Sequence, residues 1–447
     1  MERCAVCHGQ DATGSMAVNL VHSRTVLRGS DEALFMVIRK GLPGAEMAPQ
    51  KDLSDEQVAG SYEYIHEGTG KGYPKSWNRG FALSGDRLFM GAFDCHQVAL
   101  DARSGAEIWR SQVAEKDVCF GSTSAPLVVR NRVMIGSRGG DSGKLRGSLS
   151  GFDAGTGRRV WRFYTVPEPG ERGSETWSSD SDAWKGGGAP WGTGAYDPEL
   201  NLLYWPTGNA GPKDFDGRNR PGDNLYTASL LAMDPDTGER KWHYQFSPHD
   251  EHDWDATQTP LLVDTEWEGR PRKLLVEANR NGLFYVLDRT NEEFLLGEAF
   301  AKQTWAERIG TDGRPVLAHG QAPSTKESLV CPDVHGGTNW HVPSYSPLTG
   351  LLYVPSRDTC WIDYRTGHSE TTARQFLRAI DIKTGEKRWG SRSWGTNHRR
   401  STWRARWRRQ AAWCSFRVGS AISSQRTPRR ARRPGTSMPG ALFGPRR

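Results

Sequence analysis

Two stretches of this chain hold residue types spaced for chemistry. The first is Cys4-Ala-Val-Cys7-His8. A C-x-x-C-H run is an attachment site for haem c. Its thiols would bond the porphyrin vinyl groups, and His8 would reach the iron. Met47, in "GAEMAPQ", is the candidate sixth ligand, since a thioether raises the reduction potential relative to nitrogen ligands. A zinc site or redox dithiol is the competing reading, but no second Cys/His pair stands at zinc-finger spacing nearby. The second stretch, "PHDEHDWDATQTP", crowds Asp250, Glu251, Asp253 and Asp255 together. So dense a cluster repels itself, and a bound cation is the simplest relief. On a strand, residues two apart share a face, so Asp253 and Asp255 are expected to point at one ion.

The elements that must position these residues fall into three regions. Residues 1–70 read as a small all-α cytochrome c-like domain. Ser54 followed by Gln57 resembles a capping box opening a helix through Val58, Tyr62 and Ile65. Gly68, Gly70, Gly72 and Pro74 then make a linker. Over 71–390 the pattern changes to short strands and turns, with one recurring signature: Asp, Thr or Ser three on, Gly four on, Trp eight on. It appears as Asp101/Ser104/Gly105/Trp109, Asp153/Thr156/Gly157/Trp161, Asp234/Thr237/Gly238/Trp242 and Asp381/Thr384/Gly385/Trp389. The Asp and Thr can bond turn amides, and the Gly takes positive φ. The Trp opens the next strand and can pack between neighbouring blades. A hairpin also repeats, as "AYDPELNLLYWPTGN" and "SYSPLTGLLYVPSRD". Repeats of this kind predict an all-β propeller. About five blades are visible, so an incomplete propeller is expected, with the first blade lacking its earlier strands.

Charge separates the third region. Residues 391–447 hold 15 Arg and no Lys, Asp or Glu, leaving 44 basic against 52 acidic residues elsewhere. The body is mildly acidic, and the excess of +7 comes from the tail. A nucleic-acid-binding arm and a disordered basic extension are two readings of this tail. A shifted reading frame is the favoured one, and no nucleic-acid partner is expected. No run of 18 apolar residues exists, so no membrane span is expected. A c-type haem is attached outside the cytoplasm. An exported, periplasmic protein with its signal peptide missing from this chain is therefore expected.

Several further motifs resemble the pyrroloquinoline-quinone (PQQ)-dependent alcohol dehydrogenases, including the quinohaemoproteins. These are eight-bladed propellers with the cofactor on the central axis. "WKGGGAPWGTGAYDP" is similar to the segment whose Trp forms the floor under the quinone, here Trp191. "YWPTGNAGP" places Asn209 at the metal-binding amide. "IGSRGGDSGKLRGSLSGFD" matches the segment supplying a metal-binding Glu, where this chain has Asp141, with one extra residue nearby. The resemblance makes Asp253 the general base. Asp255 falls where lanthanide-type relatives carry an extra acidic ligand. A calcium or lanthanide ion is implied, and the extra acid favours the lanthanide. "VEANRNGLFYVLDR" implies Arg280 as a contact to the quinone oxygens and the catalytic Asp. "WNRG" implies Arg79 as a carboxylate partner for the cofactor, and "HGGTNWHVPSYSP" puts Asn339 and Trp340 near its edge.

The same resemblance implies a Cys331–Cys360 disulfide. Many relatives also carry a vicinal Cys-Cys ring over the quinone. Here that stretch reads "GYPKSWN", and one of Cys95 and Cys119 is expected to be free. The implied function is oxidation of a small-molecule alcohol to an aldehyde by hydride transfer to metal-bound PQQ. Electrons would pass to haem c and on to a downstream acceptor. A non-catalytic propeller scaffold, or an inactive fragment of such an enzyme, is the alternative. A scaffold would not need Asn209, Asp253, Asp255 and Arg280 together.

Overall fold

A computed structural model describes residues 78–114, 121–140, 145–177, 186–212, 220–318, 329–363, 368–369 and 373–392. Cys4, Cys7, His8, Met47, Asp141 and the tail beyond Arg392 lie outside the described residues. Within them every regular element is a strand except the 3-10 turn Ser174–Thr176.

Five four-stranded antiparallel sheets follow one another along the chain. The first runs β1 (Phe81–Ser84), β2 (Arg87–Gly91), β3 (His96–Asp101), β4 (Glu107–Gln112). Its four strands correct the expectation that the first blade is incomplete. Next come β5 (Leu127–Val129) to β8 (Arg159–Tyr164), β9 (Ala195–Asp197) to β12 (Arg240–Gln245), and β13 (Leu261–Trp267) to β16 (Phe294–Ala299). A hairpin, β17 (Ala306–Ile309) and β18 (Pro315–Leu317), precedes the fifth sheet. That sheet takes β19 (Ser344–Ser346), β20 (Leu351–Asp358), β23 (Arg374–Asp381) and β24 (Lys387–Arg392), with the hairpin β21 (Trp361–Asp363) and β22 (His368–Ser369) inserted after β20. The hydrophobic core is divided among the gaps between successive sheets. Such stacking of like sheets is propeller architecture.

The repeat explains both the turn and the stacking. Asp153 Oδ1 accepts from the Gly155 and Thr156 amides and from Thr156 Oγ1, at 3.1, 2.9 and 2.9 Å. Gly157 then takes φ 73° and closes the turn by donating to the Asp153 carbonyl at 2.8 Å. A Cβ on Gly157 would stand 2.6 Å from the Trp109 ring of the preceding sheet, and one on Gly238 2.5 Å from Trp161. Each indole also donates into the following sheet, Trp109 to the Ala154 carbonyl at 3.1 Å and Trp161 to that of Pro235 at 2.9 Å. Trp109 and Trp161 are therefore at most 9% exposed, and Trp242, packed against the fourth sheet, is also 9% exposed. Trp389, which no described sheet follows, is 44% exposed.

This pairing separates two costs. Gly105 has φ 73° but open space where a Cβ would go, whereas Gly157 has both the φ and the ring. Gly105→Ala is expected to cost about 1–2 kcal/mol for the left-handed backbone alone. Gly157→Ala is expected to cost about 1–3 kcal/mol more, because the methyl must displace Trp109. Urea unfolding of the two variants measures the difference, and equal midpoints would refute the packing role.

Candidate functional site

Glycines let the chain segments of the site approach one another. Gly187, Gly188 and Gly192 flank Trp191, and Cβ atoms there would lie 2.2 Å from Gly211 N, 2.5 Å from Thr165 Oγ1 and 2.2 Å from Thr257 O. The segment carrying Trp191 thus threads between the one after β10 (Leu202–Pro206), which carries Asn209, and the one before β13, which carries Asp255. A Cβ on Gly208 would stand 2.4 Å from Asp255 Oδ1.

Trp191 is half-buried. Over its ring, 4.3 Å from the centroid, lies the guanidinium of Arg79, which is also 5.6 Å from the centroid of Trp340. A cation against an indole face is attracted by the ring quadrupole. The Arg79 amide donates to the Thr123 carbonyl at 2.9 Å, and its guanidinium to Thr123 Oγ1. Burial lowers the Arg79 pKa to about 10; Arg138 and Arg280 add to the fall and Asp255 opposes it. Arg79 Nε is buried without a hydrogen-bond partner among the described residues. Three guanidiniums therefore bear on one spot, an environment suited to a polyanion.

Arg280 follows β14 (Arg270–Ala278) and is buried. Its guanidinium pairs with Asp255 Oδ2 and donates to the Val334 carbonyl, Nε at 2.8 Å. Asp255 Oδ1 accepts from the Asn209 amide at 3.0 Å. Each oxygen of Asp255 thus accepts one hydrogen bond, from the Arg280 guanidinium or from the Asn209 main chain, and keeps a second lone pair.

The acidic segment is not a strand. Residues 250–260 carry no regular structure, and His249 and Asp253 take φ 51° and 61°. The expectation of a strand carrying Asp253 and Asp255 is therefore corrected, because Asp253 is itself left-handed and breaks the pleat. The segment is pinned elsewhere. Trp254 is fully buried, donates to the Asp333 carbonyl at 3.2 Å and stacks on His252 at 4.1 Å. Asp250 accepts the His252 and Trp254 amides at 3.0 and 2.8 Å. Burial raises its pKa despite those bonds. Asp253 and Asp255 are only 6% and 7% exposed, which rules out solvated decoration.

Asn339 spends its side chain locally, donating to the His335 carbonyl at 3.0 Å and accepting the Trp340 amide at 2.9 Å. Trp340 is the member of this pair that faces the site, and His341 stacks on it at 4.6 Å. Burial, and then Arg79, lower the His341 pKa to about 4. The Cys331–Cys360 disulfide is present, with 4.3 Å between Cα atoms. Cys95 is disulfide-bonded too, so of Cys95 and Cys119 it is not the free one; Cys119 lies outside the described residues. Thr123, Arg138 and Gln258 join the site without having been singled out in the sequence. They belong to no repeat; Arg138, Gln258 and His341 stood inside quoted motifs without being singled out, and Thr123 stood in none.

Arg79, Trp191, Asn209, Asp255, Arg280 and Trp340 thus come from different blades to one place. The family profile described as "Glucose/ethanol/alcohol dehydrogenase, beta-propeller domain", for PQQ proteins, matches residues 112–297. Residues 112–297 thus carry a PQQ-type β-propeller domain, and the chain is related to the PQQ-dependent alcohol dehydrogenases. It is 40% identical over 346 residues to quinohemoprotein alcohol dehydrogenase ADH IIB of Pseudomonas putida, covering 73% of this chain and 50% of that protein. Lanthanide-dependent methanol dehydrogenase of Methylacidiphilum fumariolicum is 35% identical over 305 residues, 63% of this chain and 49% of that one. Among solved structures, quinohemoprotein alcohol dehydrogenase ADHIIG from Pseudomonas putida HK5 superposes with a TM-score of 0.66 at 33% identity, covering 71% of this chain and 53% of that chain. This chain spans about half the length of the curated relatives it matches.

The donor chemistry fits the groups these relatives imply. Three arginines and a half-buried indole suit a flat tricarboxylate. Asn209, Asp253 and Asp255 offer oxygen, which suits a hard cation. Among the described residues no three His, Cys, Asp or Glu side chains form a metal site by themselves, and the Asn209 side-chain oxygen would add a further donor.

Proposed function

We propose that this chain forms the quinone-binding part of an alcohol dehydrogenase that oxidises an alcohol to an aldehyde. What supports the reading is the meeting of Arg79, Trp191 and the Asp255–Arg280 pair within a propeller of this family. Pyrroloquinoline quinone would supply the hydride acceptor, and a calcium or lanthanide ion its Lewis acidity. Arg79 and Arg280 would hold cofactor carboxylates and oxygens by charge-assisted hydrogen bonds. The Trp191 indole would support the flat ring and exclude water. Asn209, Asp253 and Asp255, with Asp141, would hold the ion. Asp253, which the family resemblance makes the general base, would take the hydroxyl proton of the alcohol. Residues 1–70 would hold haem c through Cys4, Cys7, His8 and Met47 and pass electrons to a further acceptor. The Cys331–Cys360 disulfide agrees with a periplasmic site of action.

The test is a titration of the full chain with PQQ and either calcium or lanthanum, followed by tryptophan fluorescence and dye-linked alcohol oxidation. Saturable quenching and alcohol-dependent dye reduction are expected. Their absence with both metals would overturn the reading. Trp191→Ala is expected to weaken quinone binding about tenfold through lost stacking. Unchanged affinity would remove Trp191 from the floor.

A further inference from the structure

We propose that Gln258 is a positioning residue, whose single carboxamide sets the Asp255 backbone against that of Arg280. The inference rests on the quinone-binding reading and adds a residue to it. Gln258 is 1% exposed. Its Nε2 donates to the Asp255 carbonyl at 3.3 Å, and its Oε1 accepts the Arg280 amide at 3.1 Å. Each end of the amide thus holds the main chain of one partner in the buried ion pair.

The need for such a clip follows from the local structure. Asp255 lies in an irregular segment, and Arg280 lies past the end of β14, where ladder bonds stop. The Arg280 carbonyl is taken separately, by the Gly337 amide at 2.9 Å. Gln258 alone therefore links the two segments through the backbone at this point among the hydrogen bonds described. A guanidinium on a long side chain is placed only as well as its Cα. The Gln258 clip keeps Arg280 within reach both of Asp255 and of a ligand over Trp191. The neighbouring Thr257 carbonyl packs on Gly192, next to Trp191, so the clip also fixes this segment against the indole.

Quinone titrations of the wild type, Gln258→Leu and Gln258→Glu in the full chain test this. Gln258→Leu matches the shape but orphans the Arg280 amide, and is expected to weaken binding about tenfold. Gln258→Glu, whose carboxyl burial keeps protonated, retains both an acceptor for that amide and a donor to the Asp255 carbonyl, and is expected to bind within about threefold of the wild type, which a loss of general packing would not produce. Hydrogen exchange at the Arg280 amide is expected to follow the same order, fast in the Leu variant and slow in the other two. A wild type that fails to bind quinone overturns the dehydrogenase reading and this role with it. A wild type that binds, with Gln258→Leu equal to it, overturns the role of Gln258 alone. So does a Glu variant as weak as the Leu variant.

Discussion

Asp253→Asn is expected to leave quinone binding intact and to lower alcohol turnover by roughly a hundredfold to ten-thousandfold, the usual worth of a general base. Two features separate this residue from its neighbour. Asp255 is held in an ion pair with Arg280 and accepts the main-chain amide of Asn209. Asp253 stands two residues away, buried, at φ 61°. Asn tolerates the left-handed region as well as Asp does, so the substitution removes the basic oxygen and leaves the backbone alone. Asp255→Asn is expected to behave differently. It leaves the Arg280 guanidinium without its carboxylate, and should lower thermal stability and quinone affinity together. Turnover, quinone affinity and melting temperature measured on both variants decide the assignment. Full turnover in Asp253→Asn would move the base elsewhere in the acidic segment.

The fold was legible wherever its determinants are local. The Asp-x-x-Thr-Gly turn carries its own hydrogen bonds, so four copies could be read directly. The copy in the fourth sheet was hidden. Asp288 still accepts the Thr290 amide at 2.9 Å, but Glu292 takes the glycine position at φ 65° and Leu296 stands where the indole should be. A tolerated left-handed Glu carries no glycine signal. In the site, Trp191 and Asn209 stood out through family motifs, while the shape of the acidic segment did not. Its conformation depends on Trp254 reaching the Asp333 carbonyl, 79 residues on, and no alternation of acids reports such an anchor. The pairing of Arg280 with Asp255 has the same origin. It is decided by where Gln258, Gly337 and Val334 hold the strand end, and all three contacts are remote in sequence or invisible in composition.

Arg289→Met is expected to cost about 3–5 kcal/mol at neutral pH, the penalty for leaving one partner of a buried ion pair uncompensated. Arg289 is 4% exposed and Asp197 is 2% exposed, and they meet at 2.7 Å. The contact joins the third and fourth sheets, since Asp197 ends β9 while Arg289 follows β15 (Leu283–Asp288). Arg289 also bonds Asp264, but that carboxylate is 57% exposed and adds little. Burial pushes the Asp197 pKa up. The Arg289 bond and the Leu200 and Glu199 amides outweigh burial and hold it below the ordinary carboxylate value. A depressed pKa means stability that is present above the unfolded value and lost as pH falls through the folded one. In Arg289→Met that depression goes, burial dominates, and Asp197 protonates at milder acidity. The deficit against wild type is therefore expected to be largest near pH 7 and to shrink toward pH 4. Asp197→Asn placed on top of Arg289→Met is expected to recover much of the loss, because no charge is then left buried. Urea unfolding at pH 7, 5.5 and 4 checks all three statements. A deficit that stays constant across that range would show that Arg289 acts by packing, not by charge, and the inter-sheet ion pair would lose its place among the forces joining the blades.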